Sequence, residues 1–193
     1  SNLQDLLIYA VKGISFWANL ARENGASNSE VDHFVIEALF TTVTNVNFDT
    51  ARLESILRKA AEIKDKAKAL YDDAATKAGN IAEDLSGPAK WKPADTLQGL
   101  IAEGQKVGIE GRKESQGEDI TGLQELLTYG LKGTAAYADH ALILGREDDS
   151  VYAFFHEALD FLTKEGVSVD DLLGMNLRCG EVNLTVMGLL DGA

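Results

Sequence analysis

LQDLLIYAVKGISFWA, residues 3–18, returns as LQELLTYGLKGTAAYA at residues 123–138. Eight of the sixteen positions are identical at a shift of 120: Leu3, Gln4, Leu6, Leu7, Tyr9, Lys12, Gly13 and Ala18 recur as Leu123, Gln124, Leu126, Leu127, Tyr129, Lys132, Gly133 and Ala138. Chance agreement at ordinary residue frequencies gives about one. Without any gap, the same shift carries Gly25 to Gly145. It carries Val31, Phe34, Glu37, Ala38 and Leu39 to Val151, Phe154, Glu157, Ala158 and Leu159, and Leu53 and Leu57 to Leu173 and Leu177. A spacing kept over this distance marks an internal duplication.

Inside the first copy, Leu3, Leu6, Leu7, Ala10, Ile14, Trp17, Ala18 and Ala21 fall on one face at the helical period. This predicts a helix over 3–24, ended by Gly25. A second helix is expected after Ser29 as N-cap, with Asp32 completing a capping box and Val31, Phe34, Val35, Ala38 and Leu39 facing inward. It should fray at the β-branched run Thr41, Thr42, Val43, Thr44. Asp49 then caps a third helix bearing Leu53, Ile56, Leu57, Ala60, Ile63, Ala67 and Leu70. The expected fold is all-α. Two tandem three-helix bundles, 1–75 and 121–193, are related by the duplication and joined by a linker, 76–120. The linker holds both prolines, Pro88 and Pro93, beside Trp91. It is expected to form one weak helix over 94–107 and then a flexible stretch marked by Gly108, Gly111 and Gly117.

Composition excludes several classes. A chain of 193 residues, 45% hydrophobic, can bury one sizeable core or two smaller ones. Its apolar runs are short and broken by charge, so no segment spans a bilayer, and no secretory leader pattern opens the chain. The Ser1-Asn2 start without Met is read as a piece excised from a longer protein. The net charge of −13 argues against nucleic acid and against an anionic membrane, both of which need a basic face. The acidic excess gives solubility; steering of a basic partner is the alternative. Cys179 is the sole cysteine. It permits no internal disulfide and is too little for an iron–sulfur cluster, which takes about four thiolates. A reducing, cytoplasmic setting is expected.

Few residues suggest chemistry. Glu30 and His33 have the Glu-x-x-His spacing of di-iron bundles, but the second copy has Ser150 and Ala153 at the matching positions. His140 and His156 read as partly exposed helix residues. Glu37 and Glu157 recur on apolar helices. They are expected to hydrogen-bond across helices, to the equally repeated Lys12 and Lys132, with a general-base role as the alternative. Gly13 and Gly133, each inside a helix, cost about 1 kcal/mol against Ala, which close approach of a neighbouring backbone would offset. Tyr9, Trp17, Tyr129 and Tyr137 form a stripe expected in the core or between bundles. Cys179 reads as a buried structural thiol rather than a nucleophile. No phosphate loop, nucleophile elbow or zinc pattern is present. No catalytic, cofactor-binding or metal-binding residue is assigned.

Leu3-Gln4-Asp5-Leu6-Leu7-Ile8-Tyr9 with Lys12-Gly13 resembles the segment that follows the N-terminal cluster cysteines of hybrid cluster proteins, the hydroxylamine reductase or prismane family. Thr44-Asn45-Val46-Asn47-Phe48-Asp49 resembles their first-bundle turn. Trp91-Lys92 and Val107-Gly108-Ile109 resemble the inter-bundle stretch. Residues 126–138 and Gly180-Glu181-Val182-Asn183 extend the likeness along the whole chain. The resemblance implies a helical scaffold domain. Its parent would be a cytoplasmic oxidoreductase that reduces hydroxylamine to ammonia and is linked to nitric oxide handling. The parent would carry a cubane-type iron–sulfur cluster and a hybrid iron–sulfur–oxygen cluster, and take electrons from a donor protein. The cluster ligands of the family have no counterpart here, so the fragment itself is expected to hold no cofactor and to be inactive. Its partners would be the missing cluster-binding domains. Surfaces facing them would be unusually apolar and open to self-association. The competing readings are a non-enzymatic helical interaction module and the helical domain of a carbon monoxide dehydrogenase-like enzyme.

Overall fold

The computed structural model describes residues 1–43, 49–80 and 87–192. Among these it is all-α, with helices α1 (Asn2–Glu23), α2 (Ser29–Thr41), α3 (Thr50–Lys77), α4 (Leu97–Val107), α5 (Ile109–Gln116), α6 (Glu118–Ile143), α7 (Asp149–Phe161) and α8 (Val169–Asp191), and a 3-10 turn at Gly87–Lys90 between α3 and α4.

Helix ends follow local chemistry. Gly25, at φ +79°, ends α1 by letting the Ala26 N–H reach back to the Ala21 carbonyl at 2.9 Å. Gly145, at φ +74°, does the same for α6 through Arg146 and Ala141. The cap of α2 is Asn28, not Ser29: its side chain accepts from the Val31 N–H at 3.2 Å. Asp32 closes no capping box because Arg22 and His156 draw its carboxylate inward. α2 stops at Thr41, where the β-branched run begins, and Thr44 lies outside the described residues. The expected Gly-marked flexible stretch instead contains α5, bounded by Gly108 and Gly117.

The repeat slips once. The caps of α2 and α7, Asn28 and Asp148, lie 120 apart (148 − 28). Those of α3 and α8, Asp49 and Ser168, lie 119 apart (168 − 49). One residue is missing from the joint before α8. Leu53 therefore matches Leu172 in position, both being buried. Leu173 and Leu177, the counterparts of Leu53 and Leu57 by simple counting, stand 45% and 73% exposed.

The two triplets interlock. α3 runs along α1 and α8 along α6, but α2 lies most closely against α6, and α7 against α1. α1 is thus the central element. Its Leu6, Leu7, Ile14 and Trp17 share one core with Leu57 and Ile63 of α3, Leu100 of α4, and Phe155 and Leu159 of α7. The inter-copy segment is strapped onto the first copy. The Trp17 indole donates to the Ala89 carbonyl at 2.9 Å, and the buried Lys64 ammonium donates to the Trp91 carbonyl at 2.8 Å. Gly13 makes room for this strap, since a Cβ there would overlap the Pro88 carbonyl. At Gly133, its repeat partner, nothing lies within 4 Å.

Candidate functional site

Where α1, α2 and α7 meet, a polar chain is sealed inside the core. The Ser15 hydroxyl lies 2.9 Å from His156 Nδ1, and His156 Nε2 lies 2.7 Å from Asp32 Oδ1. Asp32 Oδ2 accepts from Arg22 at 2.9 Å, and Arg22 also holds Asp149 at the start of α7. With Asp32 accepting, Nε2 carries the ring proton and the neutral imidazole accepts at Nδ1 from Ser15. Burial is the largest influence on His156 and pushes its pKa down, against the opposing pull of Asp32. The order serine, histidine, aspartate matches that of a nucleophilic triad, but Ser15 and His156 have no exposed surface at all. No substrate reaches this hydroxyl. The chain fastens the two copies together, the role of a buried polar network, and of its described members only Arg22 keeps a buried Nε without a partner.

His156 is therefore a buried residue rather than the partly exposed one expected. Local sequence gave no warning, since its partners lie 141 and 124 positions away. The duplication did carry a signal. Ser15, Asp32 and His156 stand where the other copy has Ala135, Tyr152 and Ile36, so each is a polar residue that breaks the repeat.

The other candidates part company. Glu30 pairs with Lys66 and Lys59, whereas His33 faces Glu147 at 3.0 Å and stacks near Tyr152. They share no ligand position. Among the described residues, no three His, Cys, Asp or Glu side chains gather as a metal site would require. Glu37 is exposed, and Glu157 forms a two-pronged pair with Arg178 at 2.6 and 2.7 Å. Neither meets the repeated lysines, because both acids point outward while Lys12 and Lys132 turn into a hollow between α1 and α6. His140 is exposed, edge-on to Phe40. Cys179 is buried against Thr134, and burial raises its pKa. One such thiol does not fit an iron–sulfur cluster.

The aromatic stripe divides between the copies. Trp17 is buried beneath the strap, whereas Tyr129 and Tyr137 are 64% and 45% exposed. They line an open, mainly apolar groove of about 680 Å³ between α6 and α8, with Leu126, Leu173 and Leu177. Gly133 lies on its floor. This is the face that the strap covers in the first copy. Contiguous apolar exposure of this kind marks an interaction surface.

The described residues thus define an all-helical, duplicated domain with a buried polar seam and one uncovered apolar face. The chain belongs to the Prismane/CO dehydrogenase family, whose sequence profile matches residues 1–193. It is 53% identical over 191 residues to a hydroxylamine reductase of Rhodospirillum rubrum, covering 99% of this chain and 35% of the relative. It is 47% identical over 193 residues to the hydroxylamine reductase of Burkholderia lata, with 100% and 35% covered. For that of Geobacter metallireducens the identity is 44% over 191 residues, with 98% and 34% covered. The chain thus spans about a third of the length of these relatives.

Proposed function

We propose that this chain is the helical scaffold domain of a hydroxylamine reductase, with the reacting centres in other parts of the parent protein. The observation that carries this is full-length likeness of the chain to proteins of that name, of which it forms 35%. In this reading the parent is a cytoplasmic oxidoreductase. It would hold an iron–sulfur cluster and a hybrid iron–sulfur–oxygen cluster on domains absent here, and be served by an electron-donor protein. The chain supplies no catalytic, cofactor or metal ligand. Its two copies, 1–75 and 121–193, are the units of duplication, each contributing three helices to one interlocked body, and 76–120 links them.

The uncovered groove between α6 and α8 supports this role. Leu126, Tyr129 and Leu177 in its lining are each more than half exposed, a contiguous apolar exposure of the kind that marks an interaction surface. A neighbouring domain seated there would bury it and exclude water from a reaction centre beside it, where low dielectric strengthens electrostatics. In the isolated chain the same face is available for self-association. No described helix is long and apolar enough to cross a membrane.

The test compares the full-length protein with this chain after anaerobic reconstitution with iron and sulfide. The full-length protein should retain iron and reduce hydroxylamine to ammonia with a reduced viologen as donor. The isolated chain should do neither. Stoichiometric iron in the isolated chain would overturn the proposal.

A further inference from the structure

Between α1 and α6 lies a hollow of about 290 Å³. Its wall carries Lys12 from α1, Lys106 from α4, Arg112 from α5 and Lys132 from α6, against two acids, Asp5 and Glu125. In a chain with 31 acidic and 18 basic residues, a twofold local excess of cations runs against the composition. Many basic side chains elsewhere are matched with acids: Arg58 with Glu54, Lys68 with Asp72, Arg178 with Glu157, and Arg22 with Asp32, although one buried Nε of Arg22 stays without a partner. Here the matching is incomplete. Arg112 gives one amino group to Glu125, while its Nε and its other amino group are buried without a partner. Among the described residues Lys12 makes no hydrogen bond or ion pair, and Lys132 rests only against the Tyr129 ring, 5.2 Å from its centre. Burial, reinforced by the charges of Arg112 and Lys132 and offset by Glu125, brings the Lys12 ammonium down to about 8. Burial also lowers Lys132.

The two buried Arg112 donors without acceptors are costly, and the half-buried Lys12 and Lys132 ammoniums beside them add like charge with no ion-pair partner among the described residues. A polyatomic anion answers all of them together, because each of its oxygens accepts charge-assisted hydrogen bonds. We propose that this hollow is a seat for a small free oxyanion, held by Lys12, Lys132 and Arg112, with the exposed Lys106 at its rim. Four cations less two acids leave a local charge of +2, which a dianion of the sulfate or phosphate class neutralises. The volume lies at the lower edge of the roughly 300–1,000 Å³ range of small-molecule sites, so the ligand is small. Both repeated lysines come from equivalent places in the two copies. The site is thus a product of the duplication, completed by α5 of the inter-copy segment.

Sulfate is the probe, because it does not titrate between pH 6 and 10. It is titrated calorimetrically into the chain at ionic strength held constant with chloride, and melting is followed in parallel. The wild type should bind sulfate saturably at pH 7, and Lys12→Met and Arg112→Gln should each weaken this at least tenfold. At pH 9 the protonated fraction of Lys12 is about a tenth of its value at pH 7, so binding should weaken about tenfold. In chloride alone, Lys12→Met should melt above wild type, since an unpaired, half-buried charge repelled by Arg112 and Lys132 has gone. General stabilisation by sulfate, which acts through exclusion from the surface, is common to all variants and cancels. Equal sulfate responses in wild type and Lys12→Met overturn the proposal. The same titration on the full-length protein fixes the source of the anion. Retained binding supports a free ligand, and lost binding overturns it in favour of a carboxylate brought by the rest of the chain.

Discussion

The same substitution made at the two repeated glycines should act with opposite sign. Gly133 sits inside α6 with open space where a Cβ would go. Gly133→Ala therefore gains helix propensity without a clash, about 0.8–1.0 kcal/mol of stability. Gly13 sits inside α1 with the Pro88 carbonyl and its carbon in the path of a Cβ. These are backbone atoms of a residue whose φ is fixed, so the strap must lift. Lifting it strains the bonds from Trp17 to Ala89 and from Lys64 to Trp91, each worth about 1 kcal/mol. Overpacking costs roughly 1–3 kcal/mol, and a Cβ driven into backbone rather than a flexible side chain belongs at the upper end, about 2–3 kcal/mol, more than the propensity gain. Gly13→Ala should be destabilised by about 1–2 kcal/mol net, separating the two variants by about 2–3 kcal/mol. With a denaturant slope of about 2 kcal/mol per molar urea, their midpoints should differ by about 1–1.5 M. Emission gives an independent readout, because the two tryptophans, Trp17 and Trp91, both belong to the strap contact. Gly13→Ala should shift the folded-state spectrum and Gly133→Ala should not. Midpoints moving in the same direction, or a spectral shift in Gly133→Ala, would refute the reasoning.

Three further outcomes follow from the seam and the open groove. His156 is held neutral below its unfolded pKa of about 6.5, so the unfolded chain binds the extra proton and stability should fall between pH 7 and 5, by up to about 1.4 kcal/mol per pH unit; urea midpoints across that range should lose this component of the slope in His156→Gln. Asp32→Ala, which strands buried His156 and leaves Arg22 only Asp149, should cost about 3 kcal/mol, whereas Glu157→Gln, at a pair nearly half exposed on both sides, should cost less than about 1 kcal/mol. Leu177→Glu on the uncovered face should leave stability within about 0.5 kcal/mol and shift sedimentation toward monomer; an unchanged distribution of an associating wild type would place the contact elsewhere.

What the sequence disclosed was whatever repeats or stays local. Helix type, most helix ends and the buried faces of α1 and α3 follow from periodicity and caps within a dozen residues. Gly13 was also legible, because a glycine inside a strong helix demands a reason, and Pro88 supplies it. The same logic misled at Gly133, where the repeat preserves the residue but no segment covers it. Lys12 and Lys132 were conspicuous as repeats, yet their destination was hidden. Pairing them with Glu37 and Glu157 assumed that each copy closes on itself. The structure directs the acids to solvent and the lysines toward each other, because the short helices pack across copies. The seam of Ser15, His156 and Asp32 depends wholly on that crossing, so no pattern within one copy could disclose it.

The crossing also decides what can fold alone. Residues 1–116 keep α1 to α5 but lose α7 from the flank of α1, uncovering apolar surface there, and leave Ser15, Arg22 and Asp32 without His156 and Asp149. Residues 118–193 keep α6 to α8, yet α7 finds its main partner in α1 and α6 loses α2. Fully burying one large aliphatic side chain is worth about 1.5–3 kcal/mol, and a domain's whole stability is only about 5–15 kcal/mol. Removing even three or four such contacts from each half exhausts that margin. Each half made separately should show weak, non-cooperative helicity by circular dichroism, and mixing them should restore a cooperative urea transition. A half of native helicity with a sharp transition of its own would show instead that each copy closes its own core, and that the crossing is an interface between finished bundles.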